Sequence, residues 1–195
     1  MATFTIGGKT ALTQSGDGEP VVASNVVYGG NVTGTIGSSA TFPAGHVIQT
    51  IVELDSAYQV FGSSTYATKS SGWHKQITVK DASSLIFIQI VLQGAGKHSS
   101  NTRLGVKITE SVTSLDMVLS NVIGYTGSSA TNYGNHTCVY FHTHAQAVDT
   151  VLDYTPQFNS IANSTNAGVN NYGITDGDAK SYIILQEIAG WVKSL

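Results

Sequence analysis

The chain has 195 residues, of which 11% are charged, and a formal net charge of −3. That length excludes two large domains. So thin a charge, with no run of Lys or Arg, excludes the electrostatic footprint of a nucleic-acid binder or of a protein held on an anionic membrane. Ser, Thr, Asn and Gly fill the polar positions, so a neutral, hydroxylated surface is expected.

No apolar stretch approaches the roughly 20 residues of a membrane span. The opening MATFTIGGKTALTQSG lacks the basic and long apolar regions of a secretory signal, so export by that route is not expected. The sequons at Asn31, Asn135 and Asn163 then read as products of Asn/Ser/Thr richness. Cys138 is the single cysteine and forms no intrachain disulfide, which leaves stability to packing.

In chain order, residues 1–40 hold short β-branched pieces such as PVVASNVVYGG and NVTGTIG, cut every few residues by Gly. They have too few large apolar groups for a core of their own, so an extended arm that orders on a neighbouring surface is expected. TFPAGHVIQT follows. Pro43 fixes its own φ and biases Phe42 toward extended geometry, Gly45 permits a sharp turn, and His46 is placed as a hydrogen-bonded hinge residue.

Residues 41–195 read as one domain of strands: HVIQTIVEL, HKQITVK, SLIFIQIVLQ, RLGVKIT, LDMVLSNVI, TCVYFHTHAQAV and SYIILQEIAGWV. Each is rich in β-branched or aromatic residues and bounded by Gly, Ser, Asn or Asp. AVDTVLDY comes nearest to a helical pattern, and its β-branched content argues against one. The expected fold is all-β, an antiparallel β-sandwich of jelly-roll type with a Gly-rich N-terminal arm. LIFIQIVL is apolar on both faces except at Gln89, which predicts that the outer face of its sheet is covered, by the arm or by another subunit.

GAGKHSSNT, GYTGSSATNYGNH and NSIANSTNAGVNNYGITDGD are long neutral loops with the Tyr, Asn, Ser and Gly palette of adaptable recognition surfaces. They nominate Tyr125, Tyr133, Asn135, Asn166 and Tyr172 as binding residues. Trp73 and Trp191 could stack on sugars, but core or interface packing is the preferred reading.

FHTH puts His142 and His144 on one face of a strand. Three copies around a threefold axis would offer six imidazoles to a transition metal; a partly buried polar strip that includes Tyr140 and Cys138 is the competing explanation. TDGD (Asp176 to Asp178) reads as a hairpin turn rather than a calcium loop, and Asp17 with Glu19 likewise. No nucleophile elbow, zinc-helix motif, aromatic-framed acid pair or nucleotide-binding glycine pattern is present, so neither enzymatic activity nor a cofactor is expected.

TFPAGHVIQT, SSLIFIQIVLQGAG, TRLGVKITES and SYIILQEIAG together resemble a domain of virion proteins from marine tailed phages, cyanophages among them, over roughly residues 41 to 190. The resemblance implies a non-enzymatic structural protein located in the virion, either a short fibre, a spike or a head decoration. Its implied partners are copies of itself, most simply a homotrimer, other virion proteins, and a host surface glycan or protein met by the loops. A free carbohydrate-binding module of lectin type is the alternative.

Overall fold

A computed structural model describes residues 2–6, 9–14, 21–22, 44–97, 101–126, 128, 130–161, 167–170 and 179–190. The chain divides into two units, Met1–Ala40 and Thr41–Leu195. The first contains an antiparallel sheet of β1 (Ala2–Ile6), β2 (Lys9–Gln14) and β3 (Val21–Val22), in that order. β1 and β2 add strands to a segment that the sequence pattern marks only as an extended arm. Phe42, Pro43, Trp191 and the acidic pairs at 17/19 and 176/178 lie outside the described residues, as do Asn31 and Asn163.

The second unit contains β4 (Val47–Asp55), β5 (Gln59–Phe61), β6 (Ala67–Thr68), β7 (Lys75–Thr78), β8 (Leu85–Lys97), β9 (Leu104–Glu110), β10 (Leu115–Ile123), β11 (Asn132–Thr143), β12 (Val151–Ser160), β13 (Ala167–Val169) and β14 (Ser181–Ile188). No helix occurs among the described residues. β11 runs along one edge of β8 throughout, so β14 and β13 share the other edge, with β4 and β5 outside them. In the second sheet β9 occupies one edge of β12, β7 and β6 share the other, and β10 lies outside β9.

Collinear strands thus reduce to eight lines. Numbered in chain order, they run 1-8-3-6 in one sheet and 2-7-4-5 in the other, all antiparallel, which is the double Greek key of a jelly roll. β12 carries Pro156, which has no N–H for a ladder. It is tolerated because the flanking line is interrupted there: β7 pairing ends at Tyr154 and β6 pairing begins at Gln157.

Alternation sorts the side chains. Ile86, Ile88, Ile90 and Leu92 of β8 face inward to meet Val106, Ile108, Leu152, Tyr154, Phe158, Ile183 and Leu185 in one continuous core. Trp73 is buried in it, stacked on Phe158 at 6.2 Å between ring centroids, so the packing reading of this residue holds. Gly45 has φ +82°, and its N–H and the His46 carbonyl both bond to Ala189, at 2.8 Å each. That pair ties the start of β4 to the end of β14.

The two outer faces differ. The 2-7-4-5 sheet presents Gln76, Lys107, Asp116, Asp153 and Gln157. The 1-8-3-6 sheet presents rows that register pairing makes explicit: Phe141, Phe87, Gln186, Thr50; then Val139, Gln89, Ile184, Val52; then Thr137, Val91, Tyr182, Leu54. Leu54 is 61% exposed and Phe141 53%. Within this second unit, nothing among the described residues covers this apolar face.

Candidate binding site at the loop end

The pairings Lys97 with Asn132 and Ala167, and Leu104 with Ile123 and Ser160, bring the ends of β8, β10 and β12 and the starts of β9, β11 and β13 together. The described ends of the first two neutral loops nominated from sequence, and the start of the third, therefore lie at one end of the sandwich. The 62–66 connection joins them, held by Ser160 N–H to Ser63 O at 2.9 Å and Asn159 Nδ2–H to Ser64 O at 2.8 Å.

Tyr125 is placed by a turn in which its N–H donates to Val122 O at 3.1 Å, with Gly124 at φ +74°. The ring is half exposed, and the Arg103 guanidinium lies over it at 5.2 Å. Arg103 is anchored through its carbonyl, which accepts Ile161 N–H at 3.0 Å. With Asn101, Thr102 and Ile161 these residues line a cavity of about 200 Å³. Thr102 is fixed by its hydroxyl bond to Ser160 at 2.8 Å.

Tyr133 lies opposite Gly96, beside Asn132, whose carbonyl packs against the Gly124 backbone. Asn135 is exposed at a bulge in β11, and its Oδ1 accepts the Gly94 N–H at 3.4 Å. Asn166 and Tyr172 lie outside the described residues. Arg103 is the residue that the sequence reading missed as a site candidate. The available signal was its being the only arginine in the chain.

His142 and His144 do share a face, but it is the inner one, and both are buried between the sheets. His142 Nδ1 meets the Tyr154 hydroxyl at 2.7 Å. His144 Nδ1 accepts the Gln146 N–H at 3.0 Å, and its Nε2 contacts Ser84 Oγ at 3.1 Å. Burial lowers the pKa of both rings; for His142 the neighbouring His144 acts in the same direction, while the carboxylates near His144 oppose. Rings turned into the core cannot meet their copies around a symmetry axis, so the six-imidazole arrangement is corrected to the buried polar strip. No group of three or more His, Cys, Asp or Glu among the described residues could hold a metal ion.

Ser84, His144 and Glu187 lie together, but their wiring opposes nucleophilic catalysis. Glu187 accepts from Ser84 Oγ at 2.8 Å, from the N–H groups of Lys80 and Asp81 at 2.8 and 2.9 Å, and from Gln49 Nε2 at 2.6 Å. The Gln146 N–H occupies His144 Nδ1, so the neutral ring carries its proton on Nε2 and points it at the serine. A base would have to accept there. A cavity of about 430 Å³ is lined by Glu110, Asp116 and Asp153, each already engaged. Burial pushes the Glu110 carboxyl up, but hydrogen bonds from Thr113, Val112 and Asp153 outweigh it and hold the group below its usual range. Asp116 pairs with Lys107 at 2.9 Å, and Asp153 with His74 at 2.7 Å.

No protein-family model matches the chain, and no curated protein does. Among solved structures, one described as that of infectious bursal disease virus, Gx strain, is similar at 14% identity and a TM-score of 0.30, over 94% of this chain and 41% of that one. This chain spans less than half the length of that chain.

Proposed function

We propose that the protein is a non-enzymatic structural subunit of a tailed-phage virion. It assembles as a homotrimer and stands on the particle as a short fibre, spike or head decoration, with its loop end outward. The observation that carries this reading is the uncovered apolar face of the 1-8-3-6 sheet. Four strands about 4.8 Å apart, over roughly seven residues of about 3.3 Å each, make a face of about 400 Å² in plan. A patch of that size matches the largest on a typical monomer, which is often a functional surface. Covering it would contribute on the order of 10 kcal/mol per copy at about 25 cal/mol per Å², enough to offset association costs across a symmetric assembly.

The resemblance of the TFPAGHV and EIAG segments to phage virion domains supplies the setting, and the hydrogen-bonded engagement of Ser84, His144 and Glu187 supports a non-catalytic role. Sedimentation of the purified chain, together with Leu54→Lys and Val139→Lys, tests assembly. A trimer that the substitutions dissociate is the expected result; a monomer at high concentration would overturn it. Antibody labelling of phage particles tests location. The loop-end cavity beside Tyr125 favours a second reading, a free carbohydrate-binding module, for which labelled particles would be counter-evidence.

A further inference from the structure

We propose that the Arg103–Tyr125 cavity binds the carboxylate of an acidic monosaccharide unit, of uronic or sialic type. Guanidinium is charged at every accessible pH and presents donors in a planar fork that matches a carboxylate. Four lysines of this unit, Lys69, Lys75, Lys80 and Lys107, are paired with carboxylates. Arg103 has no such partner among the described residues, and its Nε is buried without any hydrogen bond. A buried donor left in that state is costly unless something else accepts from it.

The surroundings select what that acceptor belongs to. The ring of Tyr125 braces the guanidinium and leaves half its own surface open, a platform for the C–H face of a pyranose. Asn101 supplies an amide, and Ile161 a small apolar wall, while Thr102 holds the floor through its bond to Ser160. At about 200 Å³ the cavity is below the roughly 300 Å³ at which drug-sized ligand sites begin, so it fits one sugar unit rather than a chain. No carboxylate among the described residues lines it to compete for the arginine. The net charge of −3 does not oppose binding, because charges beyond a Debye length of about 8 Å are screened at physiological salt.

This deepens the reading of the loop end as the outward, host-facing end, and rests on that reading only for its biological setting. The test is titration of the full chain, followed by NMR or calorimetry, with glucuronic acid, N-acetylneuraminic acid, glucose, glucose 6-sulfate and a Glu-tipped peptide. Expected is binding of at least one carboxylated sugar ten-fold or more tighter than glucose, the sulfated sugar and the peptide, weakening with salt. Arg103→Gln should abolish that preference, Arg103→Lys should retain part of it, and Tyr125→Ser should weaken the sugars while leaving the melting temperature unchanged. Should Arg103→Gln fail to fold, Arg103→Lys and Tyr125→Ser still carry the comparison. Equal affinity for glucose, tighter binding of the sulfate or peptide, no binding of either acid, or wild-type affinity in the arginine variants overturns the proposal. Those outcomes leave the virion assignment standing, whereas unlabelled particles with intact sugar binding would overturn that assignment alone.

Discussion

Phe87 and Phe141 face each other across the β8–β11 pairing with ring centroids 5.1 Å apart, and both stand on the outside of the sandwich. Aromatic pairs of this kind usually fill cores, so this one is read as half of an interface. Replacing Phe141, 53% exposed, by Ser should lower monomer stability by about 2 kcal/mol, since about half of the ring surface is buried within the subunit. Self-association should weaken at least ten-fold. Denaturant melts of the monomer beside sedimentation equilibrium separate the two effects. A variant that assembles like wild type would remove this face from the interface.

Lys69 and Asp55 form a buried ion pair at the seam between the two sheets, with Lys69 also donating to Ala57 O. Asn170 Nδ2 donates to Asp55 Oδ2 at 2.5 Å and to Ala57 O at 3.0 Å, while its Oδ1 accepts from Ser181. Burial lowers the Lys69 pKa and Asp55 opposes that shift. Removing one partner strands the other charge in the interior. Asp55→Ala is therefore expected to cost about 3–5 kcal/mol, and the double change Asp55→Leu with Lys69→Met to cost far less. Denaturant unfolding of the two variants beside wild type measures both.

The sequence made the strand content legible where β-branched residues cluster, and the doubled apolar parity of LIFIQIVL anticipated that the outer face of its sheet is apolar. β12 was missed because Asp153, Pro156 and Gln157 break its pattern; only the gap between β7 and β6 explains how Pro156 is accommodated. β5, β6 and β13 are two or three residues long, too short to show a period. Inward or outward orientation of His142 and His144 could not be read from their spacing, since alternation gives a shared face and not its identity. Nor does any local pattern join Arg103 to Tyr125. Their meeting follows from the β9–β10 register, in which Leu104 lies opposite Ile123.

Gly96 is required by space as well as by conformation. At φ +150° a Cβ there would sit 2.2 Å from Asn132 O and 2.7 Å from Tyr133 Cα, both backbone atoms that cannot swing aside. Gly96→Ala is expected to destabilise the fold by about 2–4 kcal/mol. Gly134→Ala, where a Cβ meets nothing, should stay within about 0.5 kcal/mol. Thermal melts of the pair decide whether crowding at the loop end is real; equal losses would deny it.

Acid should loosen the sandwich before the carboxylates titrate. Burial lowers the pKa values of His142 and His144 from 6.5, so the folded state holds both rings neutral while the unfolded chain protonates them near 6.5. Between the two values the unfolded state binds more protons, and stability rises with pH. The contribution is complete above about 6.5 and is lost progressively as pH falls below it, down to the depressed folded values. Glu110 has the opposite chemistry and the same direction of loss. Its carboxyl lies below the usual 4.5, so its contribution is present above 4.5 and disappears as pH falls further. Melting temperature should therefore decline in two stages, the first setting in below pH 6.5 and the second below 4.5. His144→Gln combined with His142→Phe should flatten the first stage and leave the second. A first stage unchanged in that variant would mean that these rings do not set the acid response.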